Sequence, residues 1–460
     1  MPLIMVVLLV WWFTGIGSIP VEPRVPGLDE RRETEAEEIE ITIGEFFEHL
    51  SDEEVPPSSN WSRFRGDRFD NISTDPTPLA SNWPPSGPPV VWQYTTGEGH
   101  AAAAIHNGRV YILDYDEEER ADMLRCFSLA TGTELWRRWY HVPMRRNHGI
   151  SRTIPAVTDD FIVTIGPRCH VMCLDPITGD LLWTLDLEKE YGADTPFWYT
   201  GQCPLIVDGI AILAAAGDKL LIGVDCATGE VVWETPNDYN VEMSHSSIIP
   251  MTLAGKDMFV YNGIGGIVGV SASGADAGEL LWIEKEWNPT VMAPSPVQIN
   301  DNELLVVAGY GTGGGVIRVE RDGDGFTAIL TERHNPRQGI ASEQQTPILT
   351  GDYIWTILPN DAGVMRNQMV CYHKDDITTP VWESGRGERF GLGPYIIADD
   401  KMFLLKDDGE LSLYRFEGSS LTLLDRHQII DGIDAWGPIA VADGFLILRD
   451  SYNLICIDVR

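Results

Sequence analysis

Basic residues are scarce in this chain, and lysine most of all. Lys and Arg together number 33, only seven of them Lys, against 69 Asp and Glu, for a net charge of −36. A field of that sign repels phosphate backbones, which argues against nucleic acid as a partner and favours cationic or neutral ones. Few lysines among many carboxylates also suit a salty habitat, where screening removes the self-repulsion. No Cys precedes Cys126, so a lipid-modified N-terminal cysteine is not expected. The basic flank of an ordinary export signal is missing too, since no Lys or Arg stands before the apolar run LIMVVLLVWWF, residues 3–13. The run is followed by Gly15, Gly17 and Ser18, and residues 1–20 are read as a signal peptide or N-terminal membrane anchor. The protein is therefore expected to be exported, periplasmic or in the cell envelope, touching a membrane only through residues 3–19.

Residues 21–60 carry thirteen acidic and three basic side chains. They read as a solvated, disordered spacer, with a short helix over Glu35–Leu50 as an alternative. A Pro-rich stretch, Asp75–Pro89, leads into regular structure, and residues 61–460 are read as one repeating domain.

One phrase recurs there about every 48 residues. Its clearest copies are CFSLATGTELW ending at Trp136, CLDPITGDLLW ending at Trp183 and GVDCATGEVVW ending at Trp233. Weaker ones end at Trp282, Leu330, Trp382 and Leu424. Each is a β-hairpin by its chemistry: two alternating apolar runs around a turn of Asp, Thr and Gly. Upstream of each lies a Pro opening another apolar hairpin, at Pro155, Pro204, Pro250, Pro296, Pro347, Pro394 and Pro438, with Ala102 in the first copy. Four short strands per repeat make a propeller blade. The chain ends on a third strand, LICIDVR, while PVVWQY, Pro89–Tyr94, is a fourth strand with no blade before it. Joined, they complete an all-β, eight-bladed propeller of four-stranded antiparallel blades without free sheet edges. The recurring Trp is expected to wedge between neighbouring blades.

These phrases resemble the quinoprotein (PQQ) propeller repeat, most closely in VDCATGEVVW, Val224–Trp233, and the opening WSRFRG, Trp61–Gly66, is similar to the lead-in of PQQ-binding-like repeat proteins. The resemblance covers about 400 residues and implies fold more strongly than function, because the same repeat builds quinoprotein alcohol dehydrogenases and BamB-like scaffolds of outer-membrane assembly. The dehydrogenases hold PQQ with calcium on the axis, beside a carboxylate, a stacking Trp and a disulfide between adjacent cysteines. This chain has no adjacent cysteine pair, although Glu343, Asp434 and Trp436 would serve a pared-down cofactor site.

The seven cysteines do not read as a disulfide framework. Cys126, Cys173, Cys371 and Cys456 occupy one equivalent place in different blades, where a small buried hydrophobe is wanted. Cys169, His170 and Cys173 imitate a metal site, but strand alternation scatters them, and no metal is assigned. RDGDGF, Arg321–Phe326, lacks the bidentate Glu of a calcium loop and falls at a hairpin turn. Asn60 and Asn71 stand in glycosylation sequons, which have meaning only in a eukaryotic source.

Inner strands of a propeller begin at one face, so residues before each repeat Pro converge on an axial funnel. That collar contains Arg145, Arg146, His148, Arg152, Trp198, Tyr199, Gln202, His245, Ser246, Glu343, Gln344, Arg389, Asp434 and Trp436. His100, Ser247, Trp287, Arg337 and Gln345 belong to the same reading. The arginines are expected to form a positive well with aromatic walls. The function expected from these residues is non-catalytic: binding of a protein segment, or of a polar or anionic small molecule or polymer, by an envelope scaffold. A PQQ-dependent redox enzyme is the first alternative, and a hydrolase or lyase using the axial His and Arg groups the second.

Overall fold

The computed structural model describes residues 40–460, so the expected export segment and most of the acidic spacer lie outside the described residues. Among these, the strands form eight antiparallel sheets, the blades of a propeller. Blade 1 runs from its inner strand Ala104–His106 through Arg109–Asp116 and Ala121–Ser128 to Glu134–His141. The inner strands of blades 2 to 8 are Ala156–Val157, Leu205–Val207, Ile249–Leu253, Val297–Gln298, Ile348–Thr350, Tyr395–Ala398 and Ala440–Ala442. Five of the repeat prolines stand directly before these strands. Pro438 lies two residues ahead, and Pro250 is second in its strand. Pro lacks a ladder donor and is tolerated at the start of an edge strand, which the innermost strand of a blade is.

The ring closes as the termini of the repeat region suggest. Val90–Thr95 pairs antiparallel with Asn453–Asp458, placing Trp92 opposite Cys456 and completing blade 8. The hairpin turns also follow their chemistry. Asp175 Oδ1 accepts from the amides of Ile177 and Thr178, and Asp225 Oδ1 from those of Ala227 and Thr228.

The repeat Trp and the repeat Gly meet across blade boundaries. Trp92, Trp136, Trp183 and Trp233 pack under Gly132, Gly179, Gly229 and Gly278 of the following blade, where an added Cβ would fall within 3.0 Å of the indole. These glycines also have positive φ, so both backbone and neighbour exclude a side chain there. Trp92 Nε1 donates to Leu129 O at 2.9 Å and Trp183 Nε1 to Cys226 O at 2.8 Å. Blade 6, whose turn sequence differs, substitutes another residue. Trp382 packs on Trp355 of its own blade with ring centres 5.5 Å apart, and Trp355 Nε1 reaches Gly418 O of blade 7 at 3.1 Å.

Two segments ahead of the repeats correct the sequence reading. The spacer does not remain unstructured to residue 60, and its ordered end is a strand rather than a helix. Phe46–His49 pairs with the outer strand of blade 1 as a fifth strand. Phe46 stacks on Trp139 with centroids 5.6 Å apart, and Glu48 binds Arg137 at 2.6 Å, so the apolar and charged sides of this short stretch are both matched. The WSRFRG lead-in does more than introduce the repeats. Residues 61–73 cross the propeller axis: Trp61 bridges Ile105 in blade 1, Ser62 O accepts from Val157 in blade 2, and Ile72 bridges Ile397 in blade 7.

Candidate functional site

The inner strands are tied to one another where they begin. The amide of Ile154 donates to Cys203 Sγ, that of Cys203 to Ser247 Oγ at 2.9 Å, that of Ser247 to Ser295 Oγ at 3.0 Å, and that of Ser295 to Thr346 Oγ1 at 2.9 Å. Each donor belongs to one blade and each acceptor to the next, so blades 2 to 6 are laced around the axis. Small hydroxyl or thiol side chains are needed at these positions because larger ones would fill the centre.

Inside this lacing lies an axial cavity of about 220 Å³. Its lower boundary is the crossing segment. Phe64, Arg65 and Asn71 line the cavity, and this segment pairs further along the inner strands than the residues forming the walls. Arg65 anchors it by donating to Thr346 O at 2.8 Å, Pro347 O at 2.9 Å and Phe69 O at 2.7 Å, and its burial lowers the guanidinium pKa to about 10. Arg65, Phe69 and Asn71 all have positive φ, a backbone cost sustained by these contacts.

Two aromatic groups form the walls. His100, His148 and Trp436, from the lead-ins of blades 1, 2 and 8, lie 5.1 to 5.5 Å apart. Trp198 lies 6.3 Å from both His245 and Tyr310, and is nearly parallel to the Tyr310 ring. Trp436 is fixed by its indole, which donates to Asp407 Oδ1 at 2.9 Å. His148 and Tyr310 are held at positive φ, a backbone cost within the cavity wall.

Arg152 is the blade cation lining the cavity. Its Nη2 donates to His148 O, and its enclosed Nε has no acceptor. Burial lowers its pKa to about 10, and Glu98, the carboxylate acting on it, is bound to Arg146. Both ring nitrogens of His100, and Nε2 of His245, are enclosed without a hydrogen-bond partner. Burial first, and the charge of Arg152 second, push His245 down to about 4 and His100 to about 2, so both are neutral at pH 7. Glu343 moves the other way, raised by burial and by the neighbouring charges of Asp361 and Asp407. The cavity thus offers the guanidinium of Arg152, with that of Arg65 tied to carbonyls beneath it, neutral donors and acceptors, flat aromatic faces and a carboxyl that resists ionising.

The collar residues divide accordingly. His148, Arg152, Trp198, His245, Glu343, Gln344 and Trp436 line the cavity, together with His100, Ser247 and Gln345. Arg145 and Arg146 are exposed on the rim, Arg146 paired with Glu98 at 2.6 Å. Arg389 is tied to the carbonyls of Val364, Arg366 and Arg386. The expected well of four arginines is therefore corrected to Arg152, with Arg65 below it. Tyr199 is buried with its hydroxyl on Arg145 O, and Gln202 clamps both backbone groups of Ala214. Ser246 is buried beside Ser295, and Asp434 O accepts the amide of Trp436. Trp287 is fully buried in the core. Tyr310, Phe64, Arg65 and Asn71 were not legible as site residues, although the WSRFRG motif was a signal for Phe64 and Arg65.

Cys169 and His170 face different partners, Thr200 Oγ1 at 3.1 Å and the Tyr140 hydroxyl at 3.1 Å. Among the described residues, no three His, Cys, Asp or Glu side chains gather into a metal-holding cluster, and Glu343 is the carboxylate lining the cavity. These donors do not fit a calcium-bound quinone.

Residues 120–379 match the family model described as outer membrane protein assembly factor BamB, more than half of the chain. The chain belongs to this family. Among solved structures of the BamB fold, BamB from Moraxella catarrhalis is 11% identical with a TM-score of 0.52, over 80% of this chain and 99% of that one. The quinohemoprotein alcohol dehydrogenase from Comamonas testosteroni is 12% identical with a TM-score of 0.58, over 87% of this chain and 80% of that one. At such identities the likeness to the BamB and dehydrogenase structures is one of fold. No curated protein matches the chain.

Proposed function

We propose that the chain is an exported, non-catalytic propeller of the cell envelope that holds a small anionic ligand in its axial cavity. The carrying observation is the enclosed Arg152 Nε, without an acceptor, on a cation with no carboxylate in salt-bridge reach among the described residues. Arg152 is half-buried, and an enclosed guanidinium nitrogen without an acceptor or counter-charge is costly, a cost that an anionic ligand offsets. The aromatic groups suit a flat body attached to the anion. The size of the cavity suits a small molecule rather than a folded partner.

The family description supports the scaffold part of this reading, and the donor set supports the non-catalytic part. Ser246 Oγ lies beside Ser295 Oγ at 3.5 Å rather than against a histidine base. The test is thermal stabilisation by benzoate, phenyl phosphate and benzamide, with parent and Arg152→Gln chains. The anionic probes should raise the melting temperature of the parent alone. Stabilisation by benzamide as strong as by benzoate, or retained in Arg152→Gln, would refute the reading.

A further inference from the structure

Blade 6 carries a second concavity that shares no lining residue with the axial one. Its second and third strands, Tyr353–Ile357 and Met369–His373, are joined by a loop containing the short turn Gly363–Met365. Together with Pro336–Gly339 this loop encloses a cavity of about 330 Å³, with Leu358, Ala362, Met365, Tyr372 and Pro380 supplying apolar surface. Val364, at its edge, is 63% exposed.

Four arginines gather at this loop. Arg337 packs against Gly363 and directs Nε to Asp361 O at 3.4 Å. Arg337 lines the cavity, and Arg389 donates to the carbonyls of Val364 at 3.2 Å, Arg386 at 3.3 Å and Arg366, so the backbones of Arg366 and Arg386 lie beside its guanidinium. Arg337, Arg366 and Arg386 are exposed. Of the nearby carboxylates, Asp361 directs Oδ2 to the Gly311 amide at 2.5 Å and keeps Oδ1 buried without a partner, and Glu388 pairs with Arg426 at 2.8 Å. None of the four arginines forms a salt bridge among the described residues, on a chain whose net charge is −36.

We propose that this cavity is a docking site for an acidic peptide segment of a partner protein, anchored by one apolar side chain. The apolar lining accepts the anchor beside Val364, and the guanidinium forks receive carboxylates on either side of it. The strongly negative chain repels polyphosphates and anionic bilayers over long range, whereas a short acidic segment meets mainly the local positive charge. Its lining residues are distinct from those of the axial cavity.

Fluorescence anisotropy of the whole chain tests it with three labelled decapeptides: a central Leu flanked by Glu, the same Leu flanked by Lys, and a central Ser flanked by Glu. The Glu-flanked Leu peptide should bind best. Arg337→Glu with Arg366→Glu should weaken it by at least about tenfold, as charge reversal places like charges together. Val364→Asp, a single exposed change, should weaken it similarly, and both variants should melt like the parent. Binding of the acidic Leu peptide no better than either control, or equal binding by the charge-reversed chain, overturns the proposal. So does stronger association with vesicles of anionic phospholipid than with the peptide.

Discussion

The indole of Trp183 lies against Gly229 of the next blade, and its Nε1 donates to Cys226 O at 2.8 Å. The indole of Trp136 packs against Gly179 in the same way, although its Nε1 has no partner, and Trp136 is only 1% exposed whereas Trp183 is half-buried. Trp136→Ala should therefore cost about 3 to 5 kcal/mol, and Trp183→Ala clearly less. Urea unfolding of the two variants gives the comparison, and equal losses would show that burial does not set the value of this wedge. Gly229→Ala should also destabilise, since its Cβ would stand 2.8 Å from Trp183 Cγ at a backbone φ of +74°. None of these changes should alter ligand binding at the axis.

Truncation separates the two N-terminal additions. Removing residues 1–60 strips Phe46–His49 from the outer strand of blade 1 and should lower the melting temperature by a few degrees. Removing residues 1–95 also deletes the crossing segment and Val90–Thr95, leaving the strand Asn453–Asp458 unpaired at an edge, and should cause aggregation. Two truncations that melt alike and remain monomeric by light scattering would contradict the pairing.

At the axis, Arg152→Gln should abolish anion-dependent stabilisation while Arg145→Ala leaves it intact, because Arg145 is exposed on the rim. Both shifts can be read in one thermal assay, and loss of the response in Arg145→Ala alone would return the site to the rim.

Acid stability has opposing contributions. His245 has its pKa lowered to about 4 by burial and Arg152, so the unfolded chain takes up more protons below pH 6.5 and stability is lost as pH falls from there toward 4. Asp122, fully buried, has its pKa raised to about 7. The folded chain then holds the extra proton between about pH 4 and 7, so this group adds stability as pH falls through that window. Asp122→Asn keeps an acceptor for the Tyr140 hydroxyl, 2.9 Å from Asp122 Oδ2, but removes the compensation. Its stability should fall more steeply than the parent's between pH 7 and 4, by an order of a few kcal/mol. Parallel curves from denaturant titrations at each pH would show that Asp122 is ionised in the fold.

The architecture was legible because a repeat states its unit several times: a weak copy such as LYRFEGSSLTLL is readable beside VDCATGEVVW. The site was legible only in part. Position before a repeat Pro places a residue near the axis, as for Arg152 and His245, but does not say which way a side chain turns, so Arg145 and Arg389 shared the same signal. Tyr310 follows the second strand of blade 5 rather than preceding a first one, and no periodic rule reaches it. Arg65 and Asn71 stand outside the repeats, and their place on the axis depends on pairing with blades hundreds of residues away.

The pairing of Trp92 with Cys456 also sets an order of events for a growing chain. Blades 1 to 7 find their main sheet partners within a few dozen residues, while the strand at Val90–Thr95 must wait for nearly the whole sequence to be made. Until then the emerging protein is an open arc in which Val90–Thr95 has no sheet partner. A chaperone acting on this protein would be needed chiefly at that strand, and for the full duration of synthesis.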